Sequence, residues 1–163
     1  MISGRSTRST SLARSSRDKV ARMPSAENSI VVKRPRSEVF SFVADHENDP
    51  KWRPGVLDIK RASGQGQGAV YTQGVQGPMG KRIDADFEVT AYQPDTVLAF
   101  RTLAGPVRPE GSYRFEDANG GTRLTFSLNA NLRGAQKLMA PMVGKSMRNQ
   151  VAALDDLKRL LEP

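Results

Sequence analysis

Apolar and polar positions alternate along much of this chain. In "KRIDADFEVTAY", residues 81–92, Ile83, Ala85, Phe87, Val89 and Ala91 fall on one face, and Arg82, Asp84, Asp86, Glu88 and Thr90 on the other. A period of two over this length predicts one half-buried antiparallel strand. "ENSIVVKRP" is apolar and β-branched and predicts a first strand stopped by Pro35. "VLDIKR", "AVYTQGV", "VLAFRTL", "VRPEGSYRFE" and "TRLTFSLNANL" read as further strands, separated by the turn signals "SGQGQG", "QGPMG", "QPDT", "AGP" and "DANGG".

Two stretches switch to helical spacing. Val39, Phe40, Phe42 and Val43 form a short apolar stripe, with Ser37 as the expected cap and Glu38 in the first turn. "DHENDPKWRPG" then breaks the helix, because Pro50 and Pro54 leave room for at most one more turn. At the far end, Leu138, Met139, Met142, Val143, Met147, Val151, Leu154, Leu157 and Leu161 mark one face. Pro141 predicts either a break near Ala140 or a helix that begins there. From Pro141 to Leu161 such a helix runs about 31 Å at roughly 1.5 Å per residue. A sheet that is apolar on one face must bury that face. This helix is the only predicted element long enough to do so.

The order of strand, short helices, antiparallel strands and long terminal helix resembles the START-like superfamily. This is the polyketide cyclase/dehydrase and lipid transport group, also called SRPBCC. The resemblance rests on "SIVVKRPRSEVFSFVADHENDPKWRPGV", "GKRIDADFEVTAYQPDTVLAFRT", "GSYRFEDANGGTRLTFS" and "VAALDDLKRLLE", and covers about residues 28 to 162. It implies an α+β helix-grip fold: a curved antiparallel sheet wrapped around the C-terminal helix, with one or two short helices after strand 1. Relatives bind lipids, sterols, hormones or polyketides between sheet and helix, and some are cyclases or aromatases. Fold is shared there far more than reaction. The resemblance also implies that Trp52 packs near the cavity entrance.

Charge changes the picture at one end only. Six bases, Arg5, Arg8, Arg14, Arg17, Lys19 and Arg22, stand against Asp18 over residues 1–22, a net +5 that leaves +3 of the chain's +8 for the rest. Residues 1–24 are expected to be a disordered basic leader and 25–163 one domain. The leader lacks the apolar centre of a secretory signal and matches transit peptides in composition alone. Met23 is expected to be the true start of the natural protein. With no cysteine, disulfides, thiolate chemistry and zinc–sulfur sites are excluded. A cytoplasmic location is expected, and no apolar run approaches the roughly 18 residues of a membrane span.

Candidate chemistry is sparse. His46 is the chain's only histidine, and its neighbours Asp45, Glu47 and Asp49 match no metal-ligand spacing, so a solvated or capping role is expected. Asp84, Asp86 and Glu88 share the outward face and are expected to pair with Arg101, Arg114 or Arg123 across strands. The glycines of "GQGQG" lack the spacing and following helix of a nucleotide loop, so they read as a flexible connection at the cavity mouth. No RNP-like motif supports specific nucleic-acid binding, and neither a cofactor nor a metal is expected.

Inward parity supplies the main functional signal. Phe87, Phe100, Thr102, Tyr113 and Phe126, together with Trp52 and the helix methionines Met139, Met142 and Met147, are the expected cavity residues. Only Thr102 and Tyr113 among the inward strand positions carry a polar group. Such a lining suits binding or transport of a small apolar or aromatic ligand held by one or two hydrogen bonds, and ordinary core packing would use the same residues. The alternative is a polyketide cyclase/dehydratase-type enzyme, with Tyr113 as donor and Arg61 or Arg101 as charge stabiliser. A third reading is a protein-interaction module of the same fold, with a protein partner.

Overall fold

A computed structural model describes residues 23–163. The predicted leader lies outside the described residues, apart from Met23 and Pro24. Eight strands build the sheet: β1 (Ser25–Val32), β2 (Val56–Ser63), β3 (Val70–Gln76), β4 (Arg82–Asp84), β5 (Phe87–Gln93), β6 (Val97–Thr102), β7 (Glu110–Ala118) and β8 (Gly121–Asn129). They pair in the order β1-β8-β7-β6-β5-β3-β2, with β4 beside β3, and every pairing is antiparallel. The ends of this path are β1 and β2, and β4, paired with β3 alone, is a short third edge. Helix α1 (Arg36–Ala44) and a 3-10 helix (His46–Lys51) follow β1. The chain ends in a 3-10 turn (Gly134–Met139), α2 (Ala140–Ala152) and α3 (Leu154–Leu161).

The predicted strand over 81–92 is two strands. Its alternation persists, but its partners change: β4 pairs with β3 alone, whereas β5 pairs mainly with β6. Between them, Ala85 N–H donates to the Gln73 carbonyl, and the Asp86 carboxylate accepts the Gln73 backbone N–H.

Helix α1 is capped differently from expectation. Pro35 is the cap and its carbonyl accepts from Glu38 and Val39 N–H, so Ser37 lies inside the first turn and makes no cap. Proline suits this place, since its fixed φ leads into the helix.

Pro141 sits in the first turn of α2, as one of the two sequence readings has it. The long helix runs on to Leu161 with one irregular residue, Ala153, which keeps helical backbone angles between α2 and α3. Asp155 and Asp156 occupy the first turn of α3. α2 and α3 lie closest to β1 and β8, on one side of the sheet. Val143, Met147, Val151, Leu154 and Leu157 are buried there, whereas Leu138 is 87% exposed and lies off the predicted face.

The core is an aromatic layer set by strand register. Tyr71 pairs with Phe87, and Tyr113 pairs with Phe126 and stacks on it at 4.3 Å. Phe100 lies opposite Gly111, where a Cβ would come within 2.4 Å of its ring. Glycine at this point makes room for Phe100, which is why an inward position of β7 carries no side chain.

Candidate functional site

The gripping helices stay close to β1 and β8, and this leaves a space over the other half of the sheet. It is a cavity of about 240 Å³, slightly below the roughly 300–1,000 Å³ usual for small-ligand sites. Phe100 and Leu128 come from the sheet, Ile83 and Val107 from its side, and Met139, Met142, Val143 and Met147 from the helical segment. Gln136 donates to the Pro106 carbonyl at 2.7 Å and ties that segment to the β6–β7 loop. Thr102 lines the cavity too, but its hydroxyl donates to the Pro109 carbonyl at 2.7 Å.

One part of the wall is polar. Arg53, which follows the 3-10 helix, lines the cavity beside Gln73, Ser146 and Gln150. Its Nη1 donates to Asp49 Oδ2 at 2.9 Å, and its Nη2 lies 3.4 Å from Gln150 Oε1. A second space of about 330 Å³ shares Arg53, Ser146 and Gln150 with the first, so these residues stand between the two. Burial opposes the charge on Arg53, and the Asp49 carboxylate, which also accepts its hydrogen bond, acts against that penalty and favours the guanidinium. Burial pushes the Tyr113 phenol well above its usual range, against the opposing pull of Arg53. The phenol is thus protonated at neutral pH, and Asp49 is the counter-ion of Arg53.

Several buried polar atoms in this region lack a hydrogen-bond partner among the described residues: His46 Nε2, Asp49 Oδ1, Trp52 Nε1, Gln73 Oε1 and Tyr113 OH. Such atoms are few in folded proteins, and each calls for an explanation.

Of the expected cavity residues, Phe100, Thr102, Met139, Met142 and Met147 line this space. Phe87, Tyr113 and Phe126 are buried in the layer behind it. Trp52 is not at an entrance: it is 1% exposed and packs edge-on against Tyr113 and Phe126. The region after α1 is divided: Asp45, Glu47 and Lys51 are exposed, whereas Asp49, Trp52 and Arg53 are turned inward with His46. His46 and Asp49 are both buried, with the His46 ring against Tyr71 and Phe87 and its Nδ1 3.4 Å from Asp49 Oδ2. The solvated role expected for His46 is therefore overturned, because tertiary packing covers a turn that is polar in sequence. Among the described residues no group of three or more His, Cys, Asp or Glu is arranged to hold a metal.

The two candidate arginines lie outside the cavity, whereas Asp84 is at its exposed margin. Arg101 is exposed and pairs with Glu88 at 2.7 Å, one of the expected cross-strand pairs. Asp84 pairs with Arg82 rather than with the arginines expected. Arg61 is exposed, in an outer groove lined by Glu47, Gly66, Tyr71 and Tyr92. The Gly-rich loop borders that groove and not the apolar cavity; Gly64, Gly66 and Gly68 all take positive φ, which is the reason for glycine there.

Strand parity missed Arg53, Gln73 and Gln150. Arg53 could have been found from its i, i+4 spacing to Asp49 across a predicted helical turn. Gln73 keeps the inward parity of Tyr71 on β3, so extending the parity test to that strand would have found it.

The family described as polyketide cyclase / dehydrase and lipid transport matches residues 23–162. The chain belongs to that family. Its helix-grip fold recurs in solved structures. A Thermus thermophilus protein is 20% identical with a TM-score of 0.72, over 85% of this chain and 97% of its own. A START superfamily protein from Mycobacterium smegmatis is 16% identical with a TM-score of 0.68, over 85% and 97%. The Zhui aromatase/cyclase from a Streptomyces species is 22% identical with a TM-score of 0.65, over 86% and 94%. At these identities the likeness shows the fold alone. No curated protein matches the chain.

Proposed function

We propose that this family member binds a small hydrophobic or aromatic molecule between the sheet and α2, as a carrier or binding module. The observation that carries the reading is the cavity itself: apolar on the Phe100, Leu128 and methionine sides, with Arg53 as its buried charge. A site of this kind holds its ligand by area and orients it by a few polar contacts. The methionines give a wall that adapts to shape. No helix among the described residues is long and apolar enough to cross a membrane. The cytoplasmic location read from the sequence belongs to this proposal and is tested by cell fractionation.

A native mass spectrum of the full chain, after exposure to a lipid and aromatic-metabolite extract, tests the reading. A discrete adduct that Met142→Trp abolishes supports it. An adduct-free spectrum at every extract concentration defeats it.

The enzyme reading draws on the family description and on one feature, the buried guanidinium, which can polarise a carbonyl oxygen. Arg101 and Arg61 are too exposed for that role and Tyr113 lies behind the wall, so Arg53 replaces them as the charge stabiliser. A cyclase also needs a positioned base. Asp49 is engaged by Arg53, and Asp84 is exposed and tied to Arg82. Binding is therefore the better-supported function.

A further inference from the structure

The guanidinium of Arg53 has five N–H donors. Its protein acceptors are Asp49 Oδ2 at 2.9 Å and the more distant Gln150 Oε1 at 3.4 Å, so donors remain for a ligand on the cavity side. The charge, however, is already matched. Asp49 is fully buried, and its Oδ2 faces both Arg53 and the His46 ring. From the other elements packed here come Gln73 of β3, Ser146 and Gln150 of α2, and the protonated Tyr113 of β7, all uncharged. The remaining charged residue along the cavity, Asp84, is exposed and bound to Arg82.

We infer that Asp49 sets the ligand class: by neutralising Arg53 in place, it makes the cavity select an uncharged, oxygen-bearing apolar molecule, such as a ketone, quinone or phenol, over a carboxylate. This rests on the binding reading given above. A carbonyl oxygen accepts a hydrogen bond from Arg53 without altering the buried charge. A carboxylate brings a second negative charge beside Asp49 into a low-dielectric site, where like charges oppose one another strongly. Gln73 lines the same wall as an uncharged neighbour of Arg53. Arg53 is thus the specificity-determining contact, and Asp49 is a positioning residue that acts through Arg53.

Three bicyclic probes of similar size test this by calorimetry on the full chain at mildly alkaline pH: naphthalene, 2-acetylnaphthalene and 2-naphthoate. The ketone is expected to bind at least about ten-fold more tightly than the carboxylate, which must bring a second negative charge beside buried Asp49. Asp49→Asn keeps the shape but removes the charge, and should reverse the preference toward 2-naphthoate. Arg53→Gln should weaken the ketone about ten-fold and leave naphthalene unchanged. Asp49→Asn strips a buried guanidinium of its counter-ion, so where that variant does not fold, the wild-type comparison and Arg53→Gln decide. Naphthoate binding as tightly as the ketone to the wild type overturns this inference and leaves the cavity reading standing. Failure of all three probes to bind removes the cavity reading, and the inference with it.

Discussion

Arg53 and Asp49 face each other four residues apart, guanidinium on carboxylate at 2.9 Å, and neither side chain is more than 9% exposed. Removing one partner of a buried pair leaves the other charge uncompensated, at a cost of about 3–5 kcal/mol. Asp49→Ala should lose that much in urea denaturation. The double variant Asp49→Ala, Arg53→Met should recover most of it, since no buried charge then remains.

Gly111 and Phe100 share one space. Gly111→Ala would place its Cβ 2.4 Å from the Phe100 ring and 2.9 Å from Leu128 Cδ2. Overpacking of this kind costs roughly 1–3 kcal/mol. Thermal denaturation should show the loss, and Phe100→Leu in the same chain should restore part of it.

Tyr113 makes stability depend on alkaline pH. Burial raises its folded pKa above the unfolded value of about 10. The unfolded chain then releases that proton first, so the contribution is intact below about pH 10 and is lost as pH rises above it. Tyr71 shifts in the same direction, also by burial. Stability measured against pH should fall above about 10, less steeply in Tyr113→Phe. The same substitution should cost little at neutral pH, because the hydroxyl has no partner among the described residues.

Met142 and Met147 both line the cavity but differ in burial, at 48% and 1% exposed. Met147→Ala should lose about 2–5 kcal/mol of stability. Met142→Ala should leave the melting temperature nearly unchanged. Both should alter retention of an apolar ligand, so denaturation and ligand titration together separate wall from core.

Strand positions were largely legible because alternation is local. The period of two along β5 to β8 finds Phe87, Leu98, Phe100, Tyr113, Leu124 and Phe126 as buried residues. Burial of His46, Asp49 and Trp52 was not legible in the same way. It arises because the turn after α1 packs against Tyr71, Phe87 and Tyr113, residues distant in the chain. The polar wall combines side chains from that turn, β3 and α2, and no single periodicity joins them. The division of residues 81–92 into β4 and β5 was hidden as well, since a change of hydrogen-bond partner leaves the alternation untouched.

The two end strands of the sheet, β1 and β2, each meet other parts of the chain. Along β1, Lys158 donates to the Val31 carbonyl, and Asn28 donates to the Val151 carbonyl at 3.0 Å. Along β2, the backbone N–H of Arg61 is taken by Glu47 at 3.3 Å, and pairing with β3 shifts register twice. An irregular, charged or covered margin is a poor template for a strand from another molecule. The sheet can thus remain open as a hand remains open, without inviting neighbours to lengthen it into a fibril, and its free curvature is kept for what it encloses.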